Sequence, residues 1–192
     1  MTSDAERWDR RYADAHPPEK LEPPAIVVEA VTYVTAPDGR AGDIACGWGD
    51  AGLWLAQHGL SATCFDVSAV ALAAVATRAS KLGLHVKTDL HDTTTDGVPA
   101  GPWDLLSCTH YLDRDMLRGV ANELSVGGIV AVAIATKTNL DRHERPSERF
   151  LLDPGELHAL ITEAKPGLEI LRSDEAWRDN GVHEAWLIAK RT

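Results

Sequence analysis

Residues 42–59 read "GDIACGWGDAGLWLAQHG", an apolar run that passes through a glycine-rich turn into a helix-like segment. Gly47, Gly49 and Gly52 form a G-x-G-x-x-G pattern, and Asp66 follows 19 residues after the first of these glycines. This is the spacing of a nicotinamide-dinucleotide fingerprint. The same strand, glycine turn and helix also serve enzymes that bind a different adenosine cofactor. The pattern therefore predicts a βαβ unit and leaves the cofactor open.

Length and composition limit the classes of function. The 192 residues fit one domain, and 44% hydrophobic with 25% charged residues is ordinary for a globular chain. A net charge of -10 argues against a nucleic-acid partner, so a small-molecule substrate is expected. No run of 18 apolar residues occurs and the first twenty residues are charged throughout, which predicts a cytoplasmic protein without membrane span or secretory signal. The sequence leaves monomer and homodimer open.

Short β-rich runs alternate with helical segments along most of the chain. Strands are expected at 42–46, 61–66, 84–89, 103–109, 128–136, 168–177 and 183–191. Helices are expected at 25–34, 51–58, 68–82, 114–124 and 154–164, with Ser68 as an N-cap and residues 90–101 as a polar loop. This alternation predicts parallel βαβ units in an open, doubly wound α/β sheet, whose ligand site lies outside the carboxyl ends of the strands.

Several polar or glycine positions fall at those strand ends. They are Gly47 and Gly49 after the first strand, Asp66 after the second, Asp89 after the third, and Thr109, His110 and Tyr111 after the fourth. The glycines allow close approach to a ligand, and the carboxylate of Asp66 can accept both hydroxyls of a ribose. Asp43 lies inside an apolar strand and needs a partner when buried. A ligand ammonium, directly or through water, would suit it, whereas a pyrophosphate has the wrong sign of charge.

These residues carry a resemblance to a known family. "DIACGWG" at 43–49 resembles the D-x-G-C-G-x-G motif of class I S-adenosylmethionine-dependent methyltransferases, with Ala45 in place of the first glycine. "FDVS" resembles the ribose-binding end of strand two, "TDL" the adenine-side turn, and "LSVGG" the approach to strand five. The resemblance covers nearly the whole chain. At a finer level "RWDRRYA", "HYLDRDML" and "RFLLDPGEL" resemble the tellurite-resistance and thiopurine-type group.

The resemblance implies a single domain over residues 1–192, a mostly parallel seven-stranded sheet of order 3-2-1-4-5-7-6 with helices on both faces, and S-adenosyl-L-methionine as cofactor. Residues 1–35 are expected to form a helical lid and 136–152 a substrate-side loop. The expected cofactor contacts are Trp8, Arg11, Tyr12, Asp43, Ala45, Cys46, Gly47, Trp48, Gly49, Asp66, Val67, Asp89, Leu90 and Thr109. An N-terminal helix packed on the sheet edge, without a lid role, is the alternative for the first segment.

Two other functions are alternatives to methyl transfer, namely an NAD(P)-binding Rossmann oxidoreductase and a non-catalytic protein that binds S-adenosylmethionine. A short-chain dehydrogenase needs a Tyr-x-x-x-Lys pair, and none of the three tyrosines is followed by lysine at that spacing. Trp48, between the first two glycines, would crowd a pyrophosphate. A protein that binds the cofactor without catalysing a reaction remains an alternative. The cluster of Asp89, His91 and Asp92 lacks metal-ligand spacing, so no metal site is expected, and the three cysteines are expected to be small buried side chains.

Methyl transfer from a sulfonium is a direct displacement, in which positioning and exclusion of water supply most of the acceleration. His110 and Tyr111 are the expected catalytic residues at the end of strand four, either as a base or as walls of the pocket. Arg149, next to Phe150, is expected to attract an anionic or aromatic acceptor. The acceptor remains open among chalcogen oxyanions, thiols, halides and small aromatic compounds.

Overall fold

The computed structural model describes residues 3–164 and 167–192, which form one seven-stranded mixed sheet. The strands are β1 (Arg40–Ile44), β2 (Ser61–Asp66), β3 (Lys87–Leu90), β4 (Trp103–Thr109), β5 (Leu124–Ala135), β6 (Leu168–Trp177) and β7 (His183–Arg191). Their order is β3-β2-β1-β4-β5-β7-β6. The first five strands run parallel, and β7 pairs antiparallel with both β5 and β6. The predicted fold and strand order are confirmed.

Helices cover both faces of this sheet. They are α1 (Asp4–Ala13), α2 (Ala25–Val31), α3 (Asp50–Gln57), α4 (Ala69–Leu82), α5 (Thr93–Asp96), α6 (Arg114–Gly119) and α7 (Glu156–Thr162). Short 3-10 turns lie at Val120–Glu123, Lys137–Asp141 and Glu148–Phe150. Within the described ranges, no helix is long and apolar enough to span a membrane.

Strand β5 explains why the central strands read as continuous apolar runs. Val130, Val132 and Ile134 pack into one core cluster together with α6 and α7, while Ile129 and Ala131 pack into a second cluster with α2 and α3. Both faces of the strand are therefore buried, as is usual for parallel sheets covered by helices on each side. The sequence shows no polar alternation there for the same reason.

The structure differs from the sequence expectation at several elements. Strand β1 spans Arg40–Ile44 rather than 42–46, and β5 begins at Leu124 rather than at residue 128. Strand β3 begins at Lys87 rather than at residue 84, because the edge strand pairs with β2 only over its last four residues. The expected polar loop 90–101 contains the short helix α5, whose N-cap Asp92 accepts a hydrogen bond from the Thr94 amide. The helix expected over 114–124 ends as a 3-10 turn after Gly119. The N-cap predicted at Ser68 is confirmed, since its hydroxyl accepts from the Ala71 amide at 3.1 Å.

Close packing between α3 and the sheet depends on Gly52. A Cβ atom at this position would overlap Cys64 Sγ in β2, and the Gly52 amide donates to Asp43 Oδ2 in β1 at 3.0 Å. The third glycine of the motif therefore sets the distance between the helix and two strands. Cys64 fills the space that the missing side chain leaves, and it is fully buried there as a free thiol.

We predict that Gly52→Ala lowers the free energy of unfolding by about 1–2 kcal/mol, although alanine is the better helix former, because overpacking a fixed core outweighs propensity. Urea unfolding measures the change. Cys64→Ala supplies the matched background, since it removes the atom that the new methyl group would strike. The loss caused by Gly52→Ala should shrink in that background. An equal loss in both backgrounds would mean that this contact does not set the helix position.

Candidate active site

A cavity of about 500 Å³ lies at the carboxyl ends of β1, β2 and β4, under α1. This volume is within the usual range of small-molecule sites. Most residues that the sequence assigned to the site line it together: Trp8, Arg11, Tyr12, Asp43, Ala45, Cys46, Gly47, Trp48, Asp66, Val67, Thr109, His110 and Tyr111. The predicted convergence on one crevice thus holds for the residues after β1, β2 and β4.

Three expected cofactor residues lie outside the cavity lining. Gly49 caps α3 with φ of 77°, and a Cβ there would meet Val75 Cγ2 of α4 at 2.7 Å, so its role is packing. Asp89 and Leu90 are exposed, because β3 continues through Leu90 before the chain turns. The residues that turn into the cavity at this edge are His91, Asp92, Thr93 and Thr94.

The segment 136–152, expected on the substrate side, contributes no described residue to the cavity lining. It is held by its own ion pairs, in which Lys137 Nζ lies 3.1 Å from Glu148 and 2.8 Å from Asp153. The guanidinium of Arg149 lies 4.4 Å from the centre of the Phe150 ring. Arg149 thus contacts Phe150 and is not among the residues that line the cavity.

The glycine turn owes its shape to left-handed backbone at three positions, one of which is Gly49. Ala45 has φ of 53° and Gly47 has φ of 52°. At Ala45 this conformation costs roughly 1–2 kcal/mol that glycine would not incur. A Cβ at Gly47 would meet the Tyr12 hydroxyl at 2.8 Å, so only glycine leaves α1 room above the turn.

Asp66 joins this turn to the end of β2. Its Oδ2 accepts from the Gly47 amide and its Oδ1 from the Ser68 amide, each at 2.9 Å. Burial raises the pKa of the carboxyl, and the backbone hydrogen bonds oppose that rise in part. Each oxygen keeps acceptor capacity on a wall of the cavity, which suits vicinal hydroxyl groups.

Asp43 lies in the floor of the cavity and is almost fully buried. From the sequence, we expect an ammonium group of the ligand to pair with Asp43. In the structure its partners are protein groups: Oδ2 accepts from the Gly52 amide and Oδ1 from the Ser107 hydroxyl, each at 3.0 Å. Burial raises the pKa of Asp43 to about 7, against these two hydrogen bonds. The carboxyl is therefore a structural link beneath the site that titrates near neutral pH.

Arg78 of α4 is a supporting residue that sequence reasoning missed. Its side chain is buried and donates to the Trp48 carbonyl at 2.5 Å and to Asp50 Oδ1 at 2.9 Å. A further hydrogen bond of 3.3 Å reaches the Lys20 carbonyl. The guanidinium thus fixes the glycine turn and the segment after α1. Its position one turn after Val75, on the buried face of an alanine-rich helix, was the available signal.

Helix α1 reaches the cavity although none of its residues is buried. Asp9 Oδ1 accepts from the Ser68 hydroxyl at 2.6 Å and from the Val70 amide at 3.2 Å, which holds α1 against the start of α4. The ring centres of Tyr12 and Trp48 are 4.6 Å apart across the glycine turn. The helix is therefore fixed above the turn by one carboxylate and one aromatic contact.

At the end of β4, His110 has φ of 60° and its amide donates to the Ala133 carbonyl at 2.8 Å. Its Nδ1 lies 3.2 Å from Oε1 of Glu184, a nearly fully buried residue of β7. Sequence reasoning missed Glu184. The signal was a carboxylate in an otherwise apolar strand, the same rule that drew attention to Asp43.

Tyr111 is a neutral phenol whose proton is already engaged. The Thr93 hydroxyl donates its one proton to Asp113 Oδ2 at 2.8 Å, so in the 2.7 Å contact between Thr93 and Tyr111 the tyrosine is the donor. Burial raises the pKa of Tyr111 to about 12. Tyr111 therefore shapes the wall of the cavity and is unsuited to accept a proton.

The cavity lining is strongly acidic. It contains six carboxylate residues against one arginine, Arg11. Within residues 3–164 and 167–192, no group of three or more histidine, cysteine, aspartate or glutamate side chains could hold a metal ion. The lining therefore favours a ligand with positive charge over a pyrophosphate.

Comparisons with known proteins agree with this geometry. The family described as "Methyltransferase domain" matches residues 42–128, a little under half of the chain. No curated protein matches the sequence. The match runs from β1 to the start of β5, and with the fold it supports an S-adenosylmethionine-dependent methyltransferase as enzyme class and S-adenosylmethionine as cofactor.

Solved structures share the fold at low sequence identity. TehB from Haemophilus influenzae superposes with a TM-score of 0.74 at 18% identity, over 96% of this chain and 67% of that one. A magnesium protoporphyrin IX methyltransferase from Synechocystis PCC 6803, solved with bound SAH, gives a TM-score of 0.70 at 16% identity, over 100% of this chain and 89% of that one. These similarities establish the fold and leave the acceptor undetermined.

We predict a pH dependence of stability that Asp43 dominates. Its pKa of about 7 in the folded protein lies well above the ordinary value of an aspartate, about 3.8. Between these values the folded state keeps a proton that the unfolded state releases, so stability falls as pH rises from 4 to 8. Relative to Asp43→Asn, the wild type should lose on the order of 3–4 kcal/mol over this range. Urea unfolding at several pH values measures it. Asp89→Asn, at an exposed carboxylate, is the control, and parallel pH curves for wild type and Asp43→Asn would contradict the assignment.

Proposed function

We propose that the chain transfers the methyl group of S-adenosylmethionine to a small-molecule acceptor by direct displacement. The observation that carries the proposal is the acidic cavity in which Asp66 stands beside the bare backbone of Gly47. Sulfonium and ammonium groups bring positive charge to such a site, where a pyrophosphate would meet repulsion. A carboxylate next to a glycine turn also fits a ribose that must approach the main chain closely.

Individual residues are proposed to hold different parts of the cofactor. Asp66 would accept the ribose hydroxyls, and the backbone from Ala45 to Gly47 would border the methionine portion. Arg11, the one arginine of the lining, would pair with the ligand's carboxylate. His91 to Thr94 would border the adenine in place of Asp89 and Leu90, because they are the residues that face the cavity at this edge.

The cofactor supplies an activated methyl group, and the chain's own contribution is placement and shielding. Residues 1–35 are proposed to act as a lid, since Trp8, Arg11 and Tyr12 of α1 line the cavity from above. Tyr12 above the Gly47 turn would exclude water from the reacting atoms. A lid of this kind leaves access for a compound smaller than a protein or nucleic acid, and the net charge of -10 also disfavours nucleic acid.

Within the methyltransferases, the tellurite-resistance and thiopurine-type group remains our proposed subgroup on the strength of the sequence motifs. The charge of the cavity bears on which class of acceptor can bind. Arg149, expected to attract an anion, stands outside the lining, and Arg11 is proposed to pair with the cofactor. A neutral acceptor is therefore favoured over an oxyanion.

The proposal is tested by turnover of S-adenosylmethionine carrying a labelled methyl group, with a panel of thiols, phenols and oxyanions. Transfer to any member supports the proposal, and transfer to the neutral members supports the charge argument. Tight cofactor binding without transfer to any of them would instead favour a cofactor-binding protein that lacks catalysis.

We predict that Asp66→Ala weakens binding of S-adenosylmethionine by about 1.5–3 kcal/mol, because charge-assisted hydrogen bonds to the ribose are lost. Calorimetric titration measures the affinity, and circular dichroism checks the fold. Asp89→Ala is the matched control, since it removes a carboxylate from the neighbouring strand outside the cavity. Unchanged affinity in a folded Asp66→Ala protein would remove this residue from the site.

We also predict that a chain lacking residues 1–16 folds but binds the cofactor at least about tenfold more weakly. Folding should survive because α1 buries no residue, whereas binding should suffer because three of its side chains line the cavity. Thermal unfolding and calorimetric titration measure the two properties. Arg10→Ala, on the exposed side of α1, is the control. A folded, truncated protein with wild-type affinity would show that α1 is only a surface helix.

A further inference from the structure

We infer that Glu184 positions His110 to take a proton from the methyl acceptor, and that the acceptor is therefore a neutral protic group such as a thiol, phenol or hydroxyl. This inference rests on the proposed methyl transfer and adds to it a proton acceptor and a substrate class. The geometry of the His110–Glu184 pair, the backbone at His110 and the charge of the cavity support it independently.

The first support is the pairing of Glu184. Its Oε2 accepts from Trp186 Nε1 at 2.7 Å. Its Oε1 is buried, and among the described residues it has no partner with good hydrogen-bond geometry; His110 Nδ1 lies 3.2 Å away. Burial opposes ionisation of Glu184, but the contacts with His110 and Trp186 outweigh it and lower its pKa. A buried carboxylate therefore faces Nδ1 of the histidine.

This proximity favours one tautomer of His110. A carboxylate only accepts hydrogen bonds, so the neutral imidazole that satisfies it carries its proton on Nδ1 and leaves the lone pair on Nε2. No hydrogen bond within the described ranges engages Nε2. The side chain is 61% exposed and lines the cavity, so Nε2 is available to a bound molecule.

The second support is the backbone. His110 is one of two non-glycine residues in the described chain with positive φ, and the hydrogen bond of its amide to Ala133 holds it there. Left-handed backbone at a residue with a side chain is uncommon, and such strain concentrates at functional sites. The conformation sets the ring at the end of β4, between Thr109 and Tyr111 of the cavity wall.

The third support is the surrounding charge. Arg178 donates to the main-chain carbonyl of Glu184 at 3.2 Å, and its other terminal nitrogen pairs with Asp174 at 2.8 Å, so no ion pair with Arg178 neutralises the Glu184 carboxylate. Glu184 thus keeps negative charge to stabilise an imidazolium at His110. Tyr111 has its proton committed to Thr93 and cannot serve as the base. Among the groups at the end of β4, His110 is the one suited to accept a proton.

In the proposed step, atoms and charge are conserved. The acceptor atom forms its bond to the methyl carbon as the carbon–sulfur bond breaks, and the bonding pair leaves with sulfur as a neutral thioether. The acceptor's proton passes to Nε2 of His110. The positive charge that began on the sulfonium ends on the imidazolium next to Glu184, so net charge is conserved and no further reactant is needed.

The test is the tautomer of His110 in the full chain, read by long-range proton–nitrogen NMR at about pH 9, well above the usual histidine pKa of about 6.5. The resonance is assigned by its loss in His110→Asn. We expect the Nδ1-protonated form in the wild type. In Glu184→Gln, the carbonyl oxygen should keep the Trp186 bond, so the amide would donate to Nδ1 and the proton would move to Nε2.

Trp186→Phe is the matched control, because it removes the other partner of Glu184 and should leave the tautomer of His110 unchanged. His183, whose Nδ1 contacts the Thr136 hydroxyl at 2.7 Å, serves as an internal reference in every spectrum. An Nε2-protonated His110 in the wild type, or no change in Glu184→Gln, would overturn the inference.

Titration with S-adenosylhomocysteine separates this inference from the proposed function. If the ligand binds wild type and Glu184→Gln equally well, the cofactor site stands, and the tautomer and the rate of methyl transfer decide the inference. With a thiol or phenol acceptor, Glu184→Gln should then lower kcat by about 10²-fold at unchanged KM for the cofactor. Equal kcat in the two proteins would overturn the positioning role of Glu184, whereas failure to bind the ligand at all would count against the proposed function.

Discussion

The buried carboxyl group of Asp43 is the interaction on which the site depends. One of its oxygens binds the Gly52 amide in α3 and the other binds the Ser107 hydroxyl in β4. Strand β1, the helix that follows it and the neighbouring strand therefore meet at one side chain below the cavity. Burial disfavours the charged form of that carboxyl and raises its pKa to about 7. The glycine turn, Asp66 and His110 all take their places relative to this junction.

Much of the fold was predictable because strands that are buried on both faces appear in the sequence as continuous apolar runs. Strands β2, β4 and β7, which contain buried apolar runs, begin and end at the predicted residues. The sequence pattern does not predict the bounds of an element where pairing with a neighbouring strand sets them. Residues 84–86 have strand-like composition, but the edge of the sheet pairs only from Lys87 onward. Helix α5 exists because Asp92 caps it, in a stretch whose threonines and glycine read as a loop.

The site was predictable to the extent that parallel strands bring their carboxyl ends together. That rule placed Gly47, Asp66 and His110 in one crevice from sequence alone. It could not find Arg78 or Glu184, because their roles depend on partners far away in the chain that only the folded sheet and helices bring near. It also placed Asp89 at the end of the third strand. Strand β3 instead extends through Leu90, so the residues that turn into the cavity are His91 to Thr94.

The most direct test of the account is a crystal structure of the chain with S-adenosylhomocysteine. We expect ribose hydroxyls within hydrogen-bond distance of Asp66, the amino-acid portion beside Ala45 to Gly47 and under Tyr12, and the thioether sulfur facing the end of β4 at His110. A nucleoside bound elsewhere, or one whose ribose makes no contact with Asp66 while the fold is unchanged, would contradict the central claim that this cavity is the methyl-transfer site.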